Sequence, residues 1–307
     1  MKGASYSRPS CLGKTLAKKF HYGGQAVLEG VMMRGRTCAA VAVRRPDGDI
    51  AVRNQPLGKW STGRLVRIPF VRGPIVLLET LALGIRSLSY SASVALEEEE
   101  EQKVNPAYLW GSAAVGFVLA IGLFVALPLL IVRIVDPYIS ATVSNVTDGV
   151  IRLIVFLLYL NAVALIPNIR RVFAYHGAEH TTINAYEAGV DLDVDEVRKY
   201  GTAHTRCGTS FLLMVLVIAI IAHAFLGRPA MWLRFLERLA ILPLIGAVSY
   251  EIIRLTADHV TNRLVRIAML PGLALQRMTT RKPDEGMLEV AISALKSVLA
   301  TDAETPA

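Results

Sequence analysis

The sequence predicts a mainly α, polytopic helical membrane protein with about four transmembrane helices and a small N-terminal β-hairpin region. Three observations carry this prediction. Of 307 residues, 53% are hydrophobic and the mean hydropathy is +0.44, more apolar than a soluble domain of this size usually is. Apolar stretches long enough to approach the thickness of a bilayer recur between residues 109 and 255. Ahead of them, Pro46-Asp47-Gly48-Asp49 separates two short β-prone runs, 39–45 and 50–53, which is a hairpin signal.

Residues 1–20 form a basic flexible arm. Lys2, Arg8, Lys14, Lys18 and Lys19 stand among Ser, Gly and Pro, a composition that cannot build a core, and no apolar h-region marks a cleavable signal peptide. Without interleaved aromatics, this charge reads as an orientation signal at an anionic leaflet, and no nucleic-acid partner is expected. Residues 21–72 hold a Gly-rich loop and the small β region. The run 23–35 surrounds Glu29 and Arg34 with four glycines but lacks Walker spacing and follows no convincing strand. It reads either as a tight turn where backbones pack closely or as the wall of a site, with Glu29 and Arg34 binding substrate or supporting ligands.

Residues 73–101 read as an amphipathic or partly inserted helix, because Glu79 and Arg86 interrupt it and five acids at 97–101 close it. The spans follow at 109–132, 150–166, 209–226 and 239–255, the second stopped by Pro167 and the last two short enough to imply tilt or a thin bilayer. The link 136–149 has no Lys or Arg, whereas Arg170, Arg171, Arg198, Lys199 and Arg206 lie in the loop 168–208. The positive-inside rule therefore puts that loop and both termini in the cytoplasm, with the chain multi-pass in the inner or plasma membrane and the lipid bilayer as its main partner. Arg228, Arg234 and Arg238, after the third span, count against this assignment. Residues 256–300 are expected to be cytoplasmic helices, of which 287–299 is amphipathic and packs on the domain or, as a homo-oligomer contact, on another copy; 301–307 is a tail. Three cysteines, Cys11, Cys38 and Cys207, show no framework spacing, so a reducing compartment is the default.

The chemistry concentrates in 175–189. His176 and His180 are four apart, so on a helix both rings reach one ion, and Glu179 stands beside them. The order His-x-x-Glu-His is the inverted zincin arrangement, with two imidazoles as ligands and the carboxylate as general base, and the expected cofactor is a divalent metal, zinc in the first instance. Further ligands must lie at the same depth. His204 and Cys207, just before the third span, satisfy that, whereas His223 lies about 24 Å further up the helix and reads as a hydrogen-bonded interface histidine. Glu187 is too far along the axis to share the metal; with Asn184, and with Glu251 low in the fourth span, it is assigned to substrate binding or to supporting the ligands. Glu251 could instead ligate, or pair with Arg254. Asp191, Asp193 and Asp195 do not make an EF-hand, since the sixth position is Glu196, and Asp193 with Glu196 reads as a capping box.

The runs 23–35, 175–189 and 276–295, with His204-Thr205-Arg206-Cys207-Gly208-Thr209-Ser210-Phe211-Leu212, resemble the YqhQ-like family of bacterial membrane proteins. The resemblance covers about 21–299, with two departures, Thr181 and Lys282, neither of which removes a ligand. That family is a domain of unknown function described as predicted metal-dependent enzymes, so the resemblance implies one site from His176, Glu179, His180, His204 and Cys207 and implies no substrate. The leading expectation is a membrane-embedded zinc hydrolase with a cytoplasm-facing site. The alternatives are a non-catalytic scaffold with a closed structural zinc, a small-solute or metal transporter, and a metal-free histidine pair.

Overall fold

A computed structural model describes residues 20–58, 68–95, 106–259 and 262–304. The basic arm up to residue 19, the acidic run 97–101 and residues 305–307 lie outside the described residues.

The N-terminal region is a four-stranded antiparallel sheet in the order β1-β2-β3-β4, with β1 Gly23–Val27, β2 Gly30–Arg34, β3 Cys38–Arg44 and β4 Ile50–Pro56. The Asp-Gly signal is the β3–β4 turn, closed by Arg45 N–H on Asp49 O at 2.8 Å with Gly48 at φ +97°. The Gly-rich run corrects the expectation of a loop. It is itself a hairpin, β1 pairing with β2 through Val27 and Gly30, and Glu29 at the turn takes the left-handed φ of +49°. Its second strand lacks polar alternation because both of its faces are covered. Val31, Met33, Ala40 and Ala42 pack on one core, while Val27, Met32, Ala39, Val41 and Val43 pack on another.

The helices are α1 Arg72–Ala95, α2 Pro106–Ile121 running through a π-helical turn Gly122–Ala126 into α3 Leu127–Val132, α4 Ala141–Val163, α5 Pro167–Ala188, α6 Val194–Val197, α7 Gly208–Ala224, α8 Met231–Asp258, α9 Arg263–Thr279 and α10 Glu285–Glu304. Among the described residues four segments are long and apolar enough to cross a membrane, Arg72–Ala95, Trp110–Val132, Ala141–Val163 and Met231–Thr256; the expected span 209–226, which is α7, is apolar but shorter, and the helix at 72–95 takes its place in the four. This is a membrane protein. In α1, Leu83 and Tyr90 share a core with the sheet while Leu78 and Leu81 stay exposed, which suits a helix only partly given to lipid. The face of the sheet opposite α1 is closed by α5 and α10, whose Leu288, Ala291, Leu295 and Val298 are buried there. That helix continues to Glu304, four residues into the expected tail. Asp302 on its last turn accepts from Arg36 N–H and Thr37 N–H at 3.0 and 3.2 Å, tying it to the β2–β3 turn.

Two expected span boundaries move, for a common reason. Helix α4 begins at Ala141 rather than near 150, and α8 at Met231 rather than near 239, because their polar first turns are buried against each other. Arg234 and Arg238 are each 1% exposed. Arg234 donates to Asp136, Ser144 and Asn145 at 2.9, 2.8 and 3.0 Å; Arg238 donates to Asn145 at 2.7 Å and sits 3.3 Å from Asp148, which also holds Arg152 at 3.0 Å. Two of the three arginines that counted against the orientation are thus buried inside the bundle, paired with Asp136 and Asp148, and do not lie in a loop. His223 corrects another expectation. It is fully buried, but neither ring nitrogen has a hydrogen-bond partner among the described residues, since its neighbours Arg152, Arg234 and Arg238 only donate.

Candidate metal centre

Helix α5 carries the centre. It opens on Pro167, where the missing N–H costs nothing, and closes on Gly189, whose φ of +79° makes the left-handed cap. Between them the 3.6-residue period places His176 and His180 on one face, ring centroids 4.4 Å apart. His176 Nδ1 lies 2.8 Å from Thr279 O and His180 Nδ1 lies 2.6 Å from Thr202 O. A carbonyl only accepts, so each Nδ1 carries the hydrogen and each Nε2 keeps its lone pair for a metal.

Gly177 makes the first of these bonds geometrically possible. A Cβ there would lie 1.9 Å from Arg281 O, so only glycine lets the segment after α9 reach α5, where Arg281 N–H donates to Phe173 O at 2.9 Å and Thr279 O comes into reach of His176. The third donor comes from α7. Cys207 is its N-cap, buried, with Sγ 3.3 Å from His176 Nε2 and accepting from Thr209 N–H at 3.4 Å. Ligand atoms of His176, His180 and Cys207 all lie within 4.8 Å of one another, which makes the trio able to hold one ion. A tetrahedral zinc with ordinary bond lengths separates nitrogen and sulfur ligands by about 3.6 Å, close to the spacing found.

His204 is not in that trio. Its ring stands 5.5 Å from that of His180, but its Nε2 turns to Glu187 Oε2 at 3.7 Å and to Arg206 at 3.5 Å. The backbone decides this, because the Gln276 amide clamps His204 from both sides, accepting from its N–H at 2.9 Å and donating to its carbonyl at 2.7 Å. Burial would raise the Glu187 carboxyl, but His204 and Arg206 outweigh it and lower it to about 2, so it is a fixed anion. Asn184 donates to Gly201 O and Ala203 O at 2.8 and 3.0 Å and so holds the loop whose Thr202 carbonyl meets His180.

Glu179 is 5% exposed and accepts from Gly24 N–H at 2.9 Å. Burial pushes its carboxyl up from the usual range, opposed by His176 and by that amide. Gly24 can approach because a Cβ would meet Met32 O at 2.3 Å and the Glu179 carboxyl at 3.2 Å. The Gly-rich hairpin therefore packs closely and also borders the cavity. Its charged residues do other work. Glu29 is paired with Arg171 at 2.6 Å, which with burial opposing holds its carboxyl low, and Arg34 is paired with Glu79 at 2.7 Å. Glu251 is committed to Arg72 and to Phe70 N–H rather than to a metal or to Arg254. Of these three, Arg34 alone borders the cavity of 770 Å³ onto which His176, Glu179, His180, His204 and Cys207 open.

Gln276, Thr202 and Thr279 were not singled out from sequence. Two of them act through carbonyls, which every residue possesses, and Gln276 acts on a backbone 72 residues away.

A family model described as "Protein of unknown function (DUF1385)" matches residues 68–301. The chain is 31% identical over 296 residues to "Uncharacterized protein YqhQ" of Bacillus subtilis (strain 168), covering 92% of this chain and 93% of that protein. No solved structure matches.

Proposed function

The chain belongs to the DUF1385 family, and from the geometry of its site we propose that it is a membrane-embedded metal-dependent enzyme, a zinc hydrolase working at the cytoplasmic rim of its bundle. One observation carries the reading: among the described residues three protein donors, not four, converge beside an open cavity. A closed structural zinc needs four protein ligands, whereas a catalytic one keeps a position for substrate or water. The trio suits zinc in donor type, with two imidazoles in the correct tautomer and one buried sulfur. When bound there, the ion would supply Lewis acidity and lower the pKa of water towards about 7.

The chain's own residues do the rest. His176 and His180 are kept in register by the carbonyls of Thr279 and Thr202, so no rotamer search precedes ligation. Glu179 offers Gly24 one carboxylate oxygen and takes the proton of the attacking water on the other. Glu187 holds Arg206 and His204 at the edge of the cavity, positioned for a polar part of the substrate. Cytoplasmic orientation is supported by Arg170, Arg171, Arg198, Lys199 and Arg206 between α4 and α7, and by the removal of Arg234 and Arg238 from the count of loop charges.

The test is elemental analysis with X-ray absorption on purified wild type and Glu179→Gln. The expected result is one zinc in both, with two nitrogens, one sulfur and at least one oxygen, and turnover lost in the variant on any substrate the wild type cleaves. A full nitrogen and sulfur shell without oxygen would establish the structural reading instead.

A further inference from the structure

The cavity beside the centre is not enclosed by the sheet domain. Val76 and Thr80 of α1 and Tyr250 and Ile253 of α8 also line it, so it reaches the seam between two of the helices long and apolar enough to cross a membrane. The two helices meet along this seam. Gly73 packs against Ala247 and Tyr250, and Leu77 lies against Gly246. Leu78 and Leu81, on the same stretch of α1, point outward at 68% and 59% exposure, where lipid would be.

The cavity rim is cationic. Arg34, Arg36, Arg206 and Arg254 border it, against Glu179 as its one carboxylate among the described residues. Arg34 and Arg206 are balanced by Glu79 and Glu187. Arg36 and Arg254 form no ion pair among the described residues; Arg36 lies over the Phe20 ring, and Glu251, the acid nearest Arg254 in sequence, is held by Arg72. A neutral or cationic polar substrate leaves those two guanidiniums unanswered, and a fully water-soluble one leaves the α1–α8 wall unused.

We propose that this cavity takes an amphiphile with a phosphate-type anionic head, the head between Arg36 and Arg254 beside the His/Cys trio and the alkyl chain running out along the α1–α8 seam into the bilayer. The proposal rests on the enzyme reading only in treating this cavity as the substrate cavity. Phosphate is favoured because guanidinium groups bind it through paired, charge-assisted hydrogen bonds. A buried alkyl chain adds up to about fourfold in affinity per methylene.

The experiment is saturation binding to full-length protein in phosphatidylcholine nanodiscs, corrected against empty discs, with inorganic phosphate, butyl phosphate, octyl phosphate and octyl glucoside. Zinc content is measured on the same samples, with and without chelation. The expected result is one saturable site whose affinity rises at least tenfold from butyl to octyl phosphate and exceeds that for octyl glucoside by at least tenfold. Arg36→Gln with Arg254→Gln, both on exposed side chains, should lower octyl phosphate affinity at least tenfold and leave zinc unchanged. Val76→Trp should weaken octyl phosphate but not inorganic phosphate. Equal affinity for inorganic and octyl phosphate would overturn the amphiphile, and equal affinity for octyl glucoside would overturn the anionic head. Wild type that binds octyl phosphate as expected but carries no zinc would remove the metal reading and leave this one standing; zinc without binding does the reverse.

Discussion

Two regions of this protein bury polar groups, and they do it in opposite ways. At the α5–α7 end, two imidazoles and a thiol are held by neutral backbone groups, and their remaining donor atoms face a cavity. At the α4–α8 end, Arg152, Arg234 and Arg238 are held by Asp136, Asp148, Asn145 and Ser144, and most of their polar atoms face one another. The first arrangement leaves lone pairs available to a ligand; the second consumes charge to join two helices. A buried ionisable residue in a membrane bundle suggests function by default, and the contrast shows that what faces the group decides.

The comparison can be broken at either end. Asp148→Asn should have the largest effect on the fold, because it leaves Arg152 and Arg238 without their buried carboxylate. A loss of about 3–5 kcal/mol is expected in denaturant unfolding in detergent, with the zinc content of the folded fraction unchanged. A loss below about 1 kcal/mol would mean the network is not what joins α4 to α8. His180→Ala should do the converse, taking zinc to background in elemental analysis while leaving helix content by circular dichroism as in wild type. If helix content falls with the metal, the centre is part of the fold.

Gly177→Ala sharpens the first region. Its Cβ would displace Arg281 O and with it the Thr279 carbonyl from His176, so zinc affinity should fall about 10- to 100-fold in competition with a chelator while all three ligands remain. Affinity equal to wild type would show that the carbonyl does not orient the ring. The smallest effect concerns Asp302, which lies in neither region and so serves as a control for both. Burial raises its carboxyl, but the amides of Arg36 and Thr37 outweigh this and hold it below the ordinary value of 3.8. A depressed folded value stabilises above the unfolded one, so its contribution is complete at neutral pH and is lost as pH falls below about 4. Asp302→Asn should therefore cost about 1 kcal/mol at pH 7 and less at pH 3, in melts at the two pH values. A cost that grows at pH 3 would contradict the assignment.

Much of the fold was readable because its signals are local. The Asp-Gly turn, the capping Asp193 and the amphipathic run that became α10 each depend on neighbours within a few residues. The Gly-rich hairpin was missed since its second strand, covered on both faces, lacks the alternation that marks a half-exposed strand. The starts of α4 and α8 were misplaced because hydropathy counts Asp148 and Arg234 as loop residues, and only their ion pairs, Asp148 with Arg238 and Arg234 with Asp136, admit them to a helix core. At the site, helical spacing put His176, Glu179 and His180 together, and depth along the bundle brought in Cys207. His204 passed the same filter and was turned aside by Gln276, a contact that no spacing rule encodes.

The sequence by itself determined that this is a helical membrane protein with a small leading sheet, and that two imidazoles share a helix face. Hydropathy, turn chemistry and the 3.6-residue period act within a few residues and survive any packing. Tertiary structure alone decided which third donor joins them, which tautomer each ring adopts and that the site opens onto the α1–α8 seam. Those features depend on carbonyls, glycine contacts and helix approach between segments up to 155 residues apart, as from Gly24 to Glu179.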